Sequence, residues 1–171
     1  MEAPSAKSLA IKWGLILGVV SIVLFLAMAM SGVQGESWAS WVGVLPTAII
    51  IFMAHKEFKE SGDGFMSYGK GLGLGTLTVL VSSIISSIFT YVYIKFVDTT
   101  YFDVIREKQI EGMAEQGMSD AEIETALGFS EAFFIPETVL IMGVIFGVFF
   151  GFIISLIVSA ITKNSNPALE V

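Results

Sequence analysis

Two long stretches of this chain contain no charged residue, and this feature constrains the fold more than any other. The stretches run from residue 72 to 94 and from 138 to 161. A helix of about 20 apolar residues is long enough to span a bilayer core of about 30 Å. Two further apolar stretches precede them, so the sequence predicts an all-α membrane protein with four spans. The predicted spans are about 9–31, 38–54, 71–97 and 138–161.

The composition agrees with this class, because 54% of the residues are hydrophobic and only 15% are charged. A soluble domain carries roughly 25% charged residues. We therefore expect residues 1–171 to form a single membrane domain. The first apolar stretch follows Lys7 and Lys12, as in a signal peptide, but it is longer than the usual signal core of about 7 to 15 residues. We expect it to be retained as a span.

The chain has no cysteine. This excludes disulfides, thiolate metal sites and thiol catalysis.

Basic residues predict the orientation, because short cytoplasmic connections carry an excess of lysine and arginine. Six of the lysine and arginine residues lie in the terminal segments and the second connection, which share one side of the membrane. The other three lie on the opposite side. We expect a bacterial inner-membrane protein with both termini in the cytoplasm and eleven of its sixteen acidic residues outside.

The second predicted span contains Pro46, which removes one backbone donor inside a helix. A kink is expected there. The chain then enters a connection over residues 55–70 that holds several glycines. We expect this connection to be a cytoplasmic loop, and its His55 to be a polar residue at the membrane interface.

The fourth predicted span has a small residue at every fourth position. A matching row lies in the third span, where only Val79 interrupts it. Small residues allow membrane helices to approach closely, so spans three and four are expected to pack together. A homodimer seam and a hydroxyl-lined substrate path are the alternatives for these rows. The packing residues are Gly143, Gly147, Gly151, Ser155 and Ser159 in span four, and Gly71, Gly75, Ser83 and Ser87 in span three.

Two ionisable residues lie at the predicted outer ends of these spans. Lys95 ends span three and Glu137 begins span four. Antiparallel packing would allow these side chains to form an ion pair, with Asp98 as the alternative partner of Lys95. No acid or histidine lies in the middle of any predicted span, which argues against proton-driven transport.

The connection over residues 98–135 is the one sizeable region between spans. It is predicted to form an extracytoplasmic helical hairpin at about 99–128. Thr100 and Asp103 are placed to cap the first helix, which Gly117 would end.

Ser119 and Glu122 have the spacing of a capping box, which predicts the start of the second helix of the hairpin. Pro136 would then introduce the fourth span. The acidic residues Asp120, Glu122 and Glu124 are expected to form a solvated face, because they lack the oxygen-ligand spacing of a calcium loop. We expect no metal and no cofactor.

Several segments of the chain resemble the bacterial domain-of-unknown-function family numbered 4199. The more distinctive ones contain the patterns GFMSYG and GMSDAEIE. The resemblance implies a small four-span protein of a bacterial inner membrane, and it transfers no catalytic residue. The similar segments are residues 55–60, 64–71, 90–98, 117–124 and 150–157.

Three functions are open from the sequence. The first is a non-enzymatic scaffold or accessory subunit of a membrane complex, which fits the small-residue rows. The second is a transporter or flippase for a small or lipid-linked solute, acting as an oligomer. An enzyme would need a site built from Lys95, Glu137 and the hairpin acids, and their spacing indicates none. The expected partners are the lipid bilayer and a second copy or another membrane subunit, with no nucleic acid.

Overall fold

The computed structural model describes residues 5–33 and 36–166, and in these residues it contains six α-helices and no strand. Short 3-10 turns at Ala39–Trp41 and Glu131–Phe133 precede α2 and α6. The helices are α1 (Ala6–Ser31), α2 (Val44–Ser61), α3 (Tyr68–Phe96), α4 (Tyr101–Glu115), α5 (Asp120–Ser130) and α6 (Pro136–Thr162).

Local signals in the sequence define the helix ends. The Ser5 hydroxyl accepts a hydrogen bond from the Ser8 backbone N–H at 3.2 Å and caps α1. Gly32 ends this helix in the left-handed conformation, at φ 67°. Pro136 occupies the first turn of α6, where its missing N–H leaves no helical hydrogen bond unmade.

Three of the described helices are long and apolar enough to cross a membrane: α1, α3 and α6. They contain 26, 29 and 27 residues. At about 1.5 Å per residue, each is longer than a bilayer core of about 30 Å. The protein is therefore a multi-pass membrane protein.

The second helix differs from its prediction at both ends. It begins at Val44 and not at residue 38, so Pro46 lies in its first turn. Backbone N–H groups in a first turn have no helical partner, and Pro46 interrupts nothing there. The predicted kink is wrong. The helix also continues to Ser61, so residues 55–61 are helical where a loop was expected.

The four longest helices pack with alternating directions around α3. Leu9 at the start of α1 lies near Leu74 at the start of α3, and Phe25 near the end of α1 meets Tyr93 near the end of α3. These two helices are therefore parallel. Helices α2 and α6 run in the opposite direction. As α3 advances from Gly71 to Gly75, its contacts move back from His55 to Ile51 on α2 and from Ser159 to Ser155 on α6.

Helices α4 and α5 are joined by a turn in which Gly117 has φ 80°. The Glu122 carboxylate accepts hydrogen bonds from the Ser119 backbone N–H at 2.8 Å and from its hydroxyl at 2.7 Å. The capping box at this position is confirmed. Thr100 does not cap α4, because its hydroxyl donates to the Asp98 carboxylate at 2.8 Å. The predicted role of Thr100 is therefore wrong.

Candidate functional site: a hydroxyl-lined cavity in the helix bundle

The structure brings the two small-residue rows face to face along the seam between α3 and α6. A Cβ atom built at Gly143, Gly147 or Gly151 would lie less than 3.0 Å from the facing side chain of α3. Val79, which interrupts the row in the sequence, occupies the space that Gly151 leaves. The facing pairs are Gly71 with Ser159, Gly75 with Ser155, Val79 with Gly151, Ser83 with Gly147, and Ser87 with Gly143.

This seam forms between two helices of the same chain. Gly151, Ser155 and Ser159 are buried against α3. The row therefore has a partner in the same bundle.

A second close seam joins α1 to α3, and the sequence analysis missed it. A Cβ atom built at Gly14 would lie 2.6 Å from Val81 Cβ, and one built at Gly18 would lie 3.3 Å from Ile85 Cβ. The signal was present, because Gly14 and Gly18 are four residues apart in an apolar helix.

These two seams leave a cavity of about 640 Å³ between α1, α2, α3 and α6. Farther along α2, Ile51 and Ala54 are fully buried and fill the bundle. Near the start of α2 the side chains of Val44 and Thr47 only border the cavity. None of the described lining residues is ionisable. The hydroxyl-bearing ones are Ser21, Ser37, Thr47, Ser82, Ser83 and Ser86.

The hydroxyls of the bundle differ in their hydrogen bonds, and that of Ser159, fully buried outside the cavity, has no partner among the described residues. Thr78 and Ser155 donate to the carbonyls four residues before them, at 2.8 and 2.7 Å. Such bonds satisfy a hydroxyl within its own helix. Ser82 and Ser83 line the cavity and are only 4% and 6% exposed. In the described part of the chain, their hydroxyls form no hydrogen bond.

His55 is buried inside the helix bundle, where a polar residue at the membrane interface was expected. Its side chain is fully buried between α2, α3 and α6. Nε2 donates to the Gly71 carbonyl at 2.9 Å, because a carbonyl can only accept. Nδ1 lies 2.8 Å from Thr162 Oγ1. The signal for burial was the apolar helical spacing of Ile51, Ala54 and Phe58 around it.

Charged side chains join the helices at the two ends of the bundle. Lys95 donates to Glu137 at 2.5 Å and to the Tyr91 hydroxyl at 2.7 Å. At the other end, Lys12 donates to both carboxylate oxygens of Glu57 at 2.7 Å. These contacts tie α3 to α6 and α1 to α2.

The comparison with protein families gives one result. The family described as "Protein of unknown function (DUF4199)" matches residues 12–164. The chain belongs to this family. No curated protein and no solved structure matches this DUF4199 chain.

The cavity of the DUF4199 protein can bind a molecule through packing and neutral hydrogen bonds. Its apolar walls come from side chains such as Leu17, Phe150 and Ile154, and its polar groups are hydroxyls. Among residues 5–33 and 36–166, no group of three histidine or acidic side chains is placed to hold a metal ion.

Proposed function

We propose that this protein is a non-enzymatic scaffold or accessory subunit of a membrane complex. The observation that carries the proposal is an apolar surface outside the three candidate spans. Phe129, at the end of α5, is 81% exposed, and Phe133, in the turn before α6, is 50% exposed. Large exposed aromatic side chains are typical of a surface that contacts another protein or a membrane.

The position of these residues favours a protein partner. They lie on the segment that joins the acidic helices α4 and α5 to α6. Arg106 of α4 packs over the ring of Phe134, and Phe134 also contacts Phe102, so the segment is held against α4. A fixed segment presents its exposed rings at a lower entropy cost than a loose one.

The proposed topology is a four-span bundle in a bacterial inner membrane. Parallel packing of α1 and α3 supports it, because the chain must return between them and α2 is the returning helix. The ion pair of Lys108 with Glu36 supports placing α4 at the end of the bundle where α1 finishes. By the distribution of basic residues, this end is outside and both termini are cytoplasmic.

Affinity purification of the tagged protein from native membranes tests the subunit proposal. We expect a foreign membrane protein to copurify in a fixed ratio, as measured by mass spectrometry. The double variant Phe129→Ser, Phe133→Ser should lose it, while the control Glu111→Gln on the exposed face of α4 should retain it. A purified protein without partners, or a partner that is unaffected by the double variant, would contradict the proposal.

The cavity favours a second function, which is transport of a small or lipid-linked solute by an oligomer. It lies beside Ser82 and Ser86, close to the middle of α3. Flux of a fluorescent lipid in proteoliposomes tests this function. Flux no higher than in protein-free vesicles would count against it.

A further inference from the structure

We infer that the cavity between α1, α2, α3 and α6 binds a neutral lipid, with a hydrocarbon chain against its apolar walls and an oxygen atom at Ser82 and Ser83. This inference goes beyond the subunit proposal and does not depend on it. The ligand class is a neutral glycerolipid such as diacylglycerol, whose ester carbonyls accept hydrogen bonds.

The two serine hydroxyls provide the first argument. Ser82 and Ser83 are more than nine-tenths buried and border the cavity, yet they make no hydrogen bond in the described part of the chain. The neighbouring Thr78 hydroxyl donates to the Leu74 carbonyl, so helix α3 does allow a hydroxyl to form a hydrogen bond within its own helix. A buried polar group without a partner is costly, and a ligand oxygen in the cavity would remove this cost.

The charge of the lining provides the second argument. Among residues 5–33 and 36–166, none that lines the cavity is ionisable. A charged ligand group at this depth would lose its hydration and find no counter-ion, which is strongly unfavourable. A neutral ligand loses little in the same place, so the lining selects against phosphate and ammonium groups.

The access route provides the third argument. Phe150, Ile153 and Ile157 border the cavity and are also exposed on the outside of α6. Helix α6 is one of the candidate spans, so this side of the bundle faces hydrocarbon. A ligand that enters here comes from the bilayer. The cavity volume of about 640 Å³ lies within the range of about 300 to 1,000 Å³ that is usual for ligand sites.

A photo-crosslinking experiment on the full chain tests this inference. The protein is placed in phosphatidylcholine nanodiscs that contain diacylglycerol with a diazirine on one acyl chain. Crosslinked positions are then mapped by mass spectrometry. We expect crosslinks on lining residues of α3 and α6, reduced by unlabelled diacylglycerol and not by phosphatidic acid, which has the same chains and a charged head.

Three variants separate the site from the general lipid surface. Ser86→Leu places a larger side chain in the cavity and should abolish the mapped crosslinks. Ser82→Ala keeps the space and removes one hydroxyl. The concentration of unlabelled diacylglycerol that is needed to reduce the crosslinks should therefore rise roughly fivefold. The control Ile88→Phe adds bulk on a lipid-exposed position of α3 outside the lining and should change nothing.

Other results would overturn the inference. Crosslinks spread over all lipid-exposed helix faces, with no competition, would mean that diacylglycerol only surrounds the protein. Equal competition by phosphatidic acid would contradict selection for a neutral ligand. If Ser86→Leu lowers the melting temperature of the protein, the result for Ser82→Ala is used instead. Unchanged competition by unlabelled diacylglycerol in Ser82→Ala would contradict the role of the hydroxyl. Copurification of a partner subunit is a separate measurement, so the two proposals can fail independently.

Discussion

At the scale of single residues, His55 joins three helices at the end of the bundle where α1 begins. Its ring nitrogens contact the Gly71 carbonyl on α3 and the Thr162 hydroxyl on α6. Lys59 adds a hydrogen bond to the Thr162 carbonyl at 3.1 Å, which satisfies one of the last carbonyls of α6. A lone histidine in the sequence gives no sign of such partners, because both lie far away along the chain.

Replacing His55 should therefore destabilise the bundle. His55→Ala leaves the Gly71 carbonyl and the Thr162 hydroxyl without this partner and opens a space, so we expect a loss of about 2 to 4 kcal/mol in the free energy of unfolding. Denaturation in mild detergent measures the change. The control Lys56→Ala, on an exposed neighbouring position, should change it by less than about 0.5 kcal/mol. Equal stability of the two variants would show that the histidine contacts are unimportant.

The capping box of α5 predicts a local dependence on pH. Hydrogen bonds from Ser119, the backbone one foremost, hold the pKa of Glu122 below its usual value. The ionised carboxylate therefore stabilises the start of α5 above the pKa of the unfolded chain. This contribution is lost as the pH falls through the lower pKa of the folded state.

Amide hydrogen exchange over residues 120–130 measures this effect, after correction for the intrinsic pH dependence of exchange. Protection should fall as the pH is lowered through the range in which Glu122 titrates. In Glu122→Gln the protection should lose most of this dependence, while Glu124→Gln, in which the capping residue is unchanged, should behave like the original protein. The same pH dependence in Glu122→Gln would exclude the capping box as its cause.

At the scale of helices, the close seam between α3 and α6 follows from sequence spacing. Residues four apart lie on one face of a helix, so two such rows on antiparallel neighbours can meet along their length. The start of α2 could not be predicted in this way, because Pro46 fits both a kinked helix and a first turn. The cavity could not be predicted either, since it depends on where α2 begins.

The seam gives a matched pair of glycine substitutions. A Cβ at Gly151 would overlap Val79, whereas a Cβ at Gly73 meets nothing within 4 Å. We expect Gly151→Ala to destabilise the protein by about 1 to 3 kcal/mol through overpacking. Gly73→Ala, on the open side of α3, should be neutral or stabilise by up to about 1 kcal/mol. Denaturation in detergent compares the two, and a Gly151→Ala protein as stable as Gly73→Ala would contradict the close seam.

At the scale of the whole molecule, the apolar stretches at 72–94 and 138–161 predicted two of the three candidate spans directly. They contain no charge, so no other environment suits them. Helix α2 is different, because its last two turns carry Lys56, Glu57 and Lys59. Composition alone cannot decide whether such a helix crosses the membrane. Its place beside α1, α3 and α6 is what supports a fourth crossing.

The central claim is that the chain crosses the membrane four times, and cysteine accessibility tests it most directly. The chain has no cysteine, so single variants give a clean signal. Glu60→Cys, Gln116→Cys and Ser165→Cys place one thiol in the last turn of α2, after α4 and after α6. With a membrane-impermeant maleimide on spheroplasts, we predict labelling of Gln116→Cys alone, and labelling of all three after lysis. Labelling of Glu60→Cys in intact spheroplasts would contradict the four-span account.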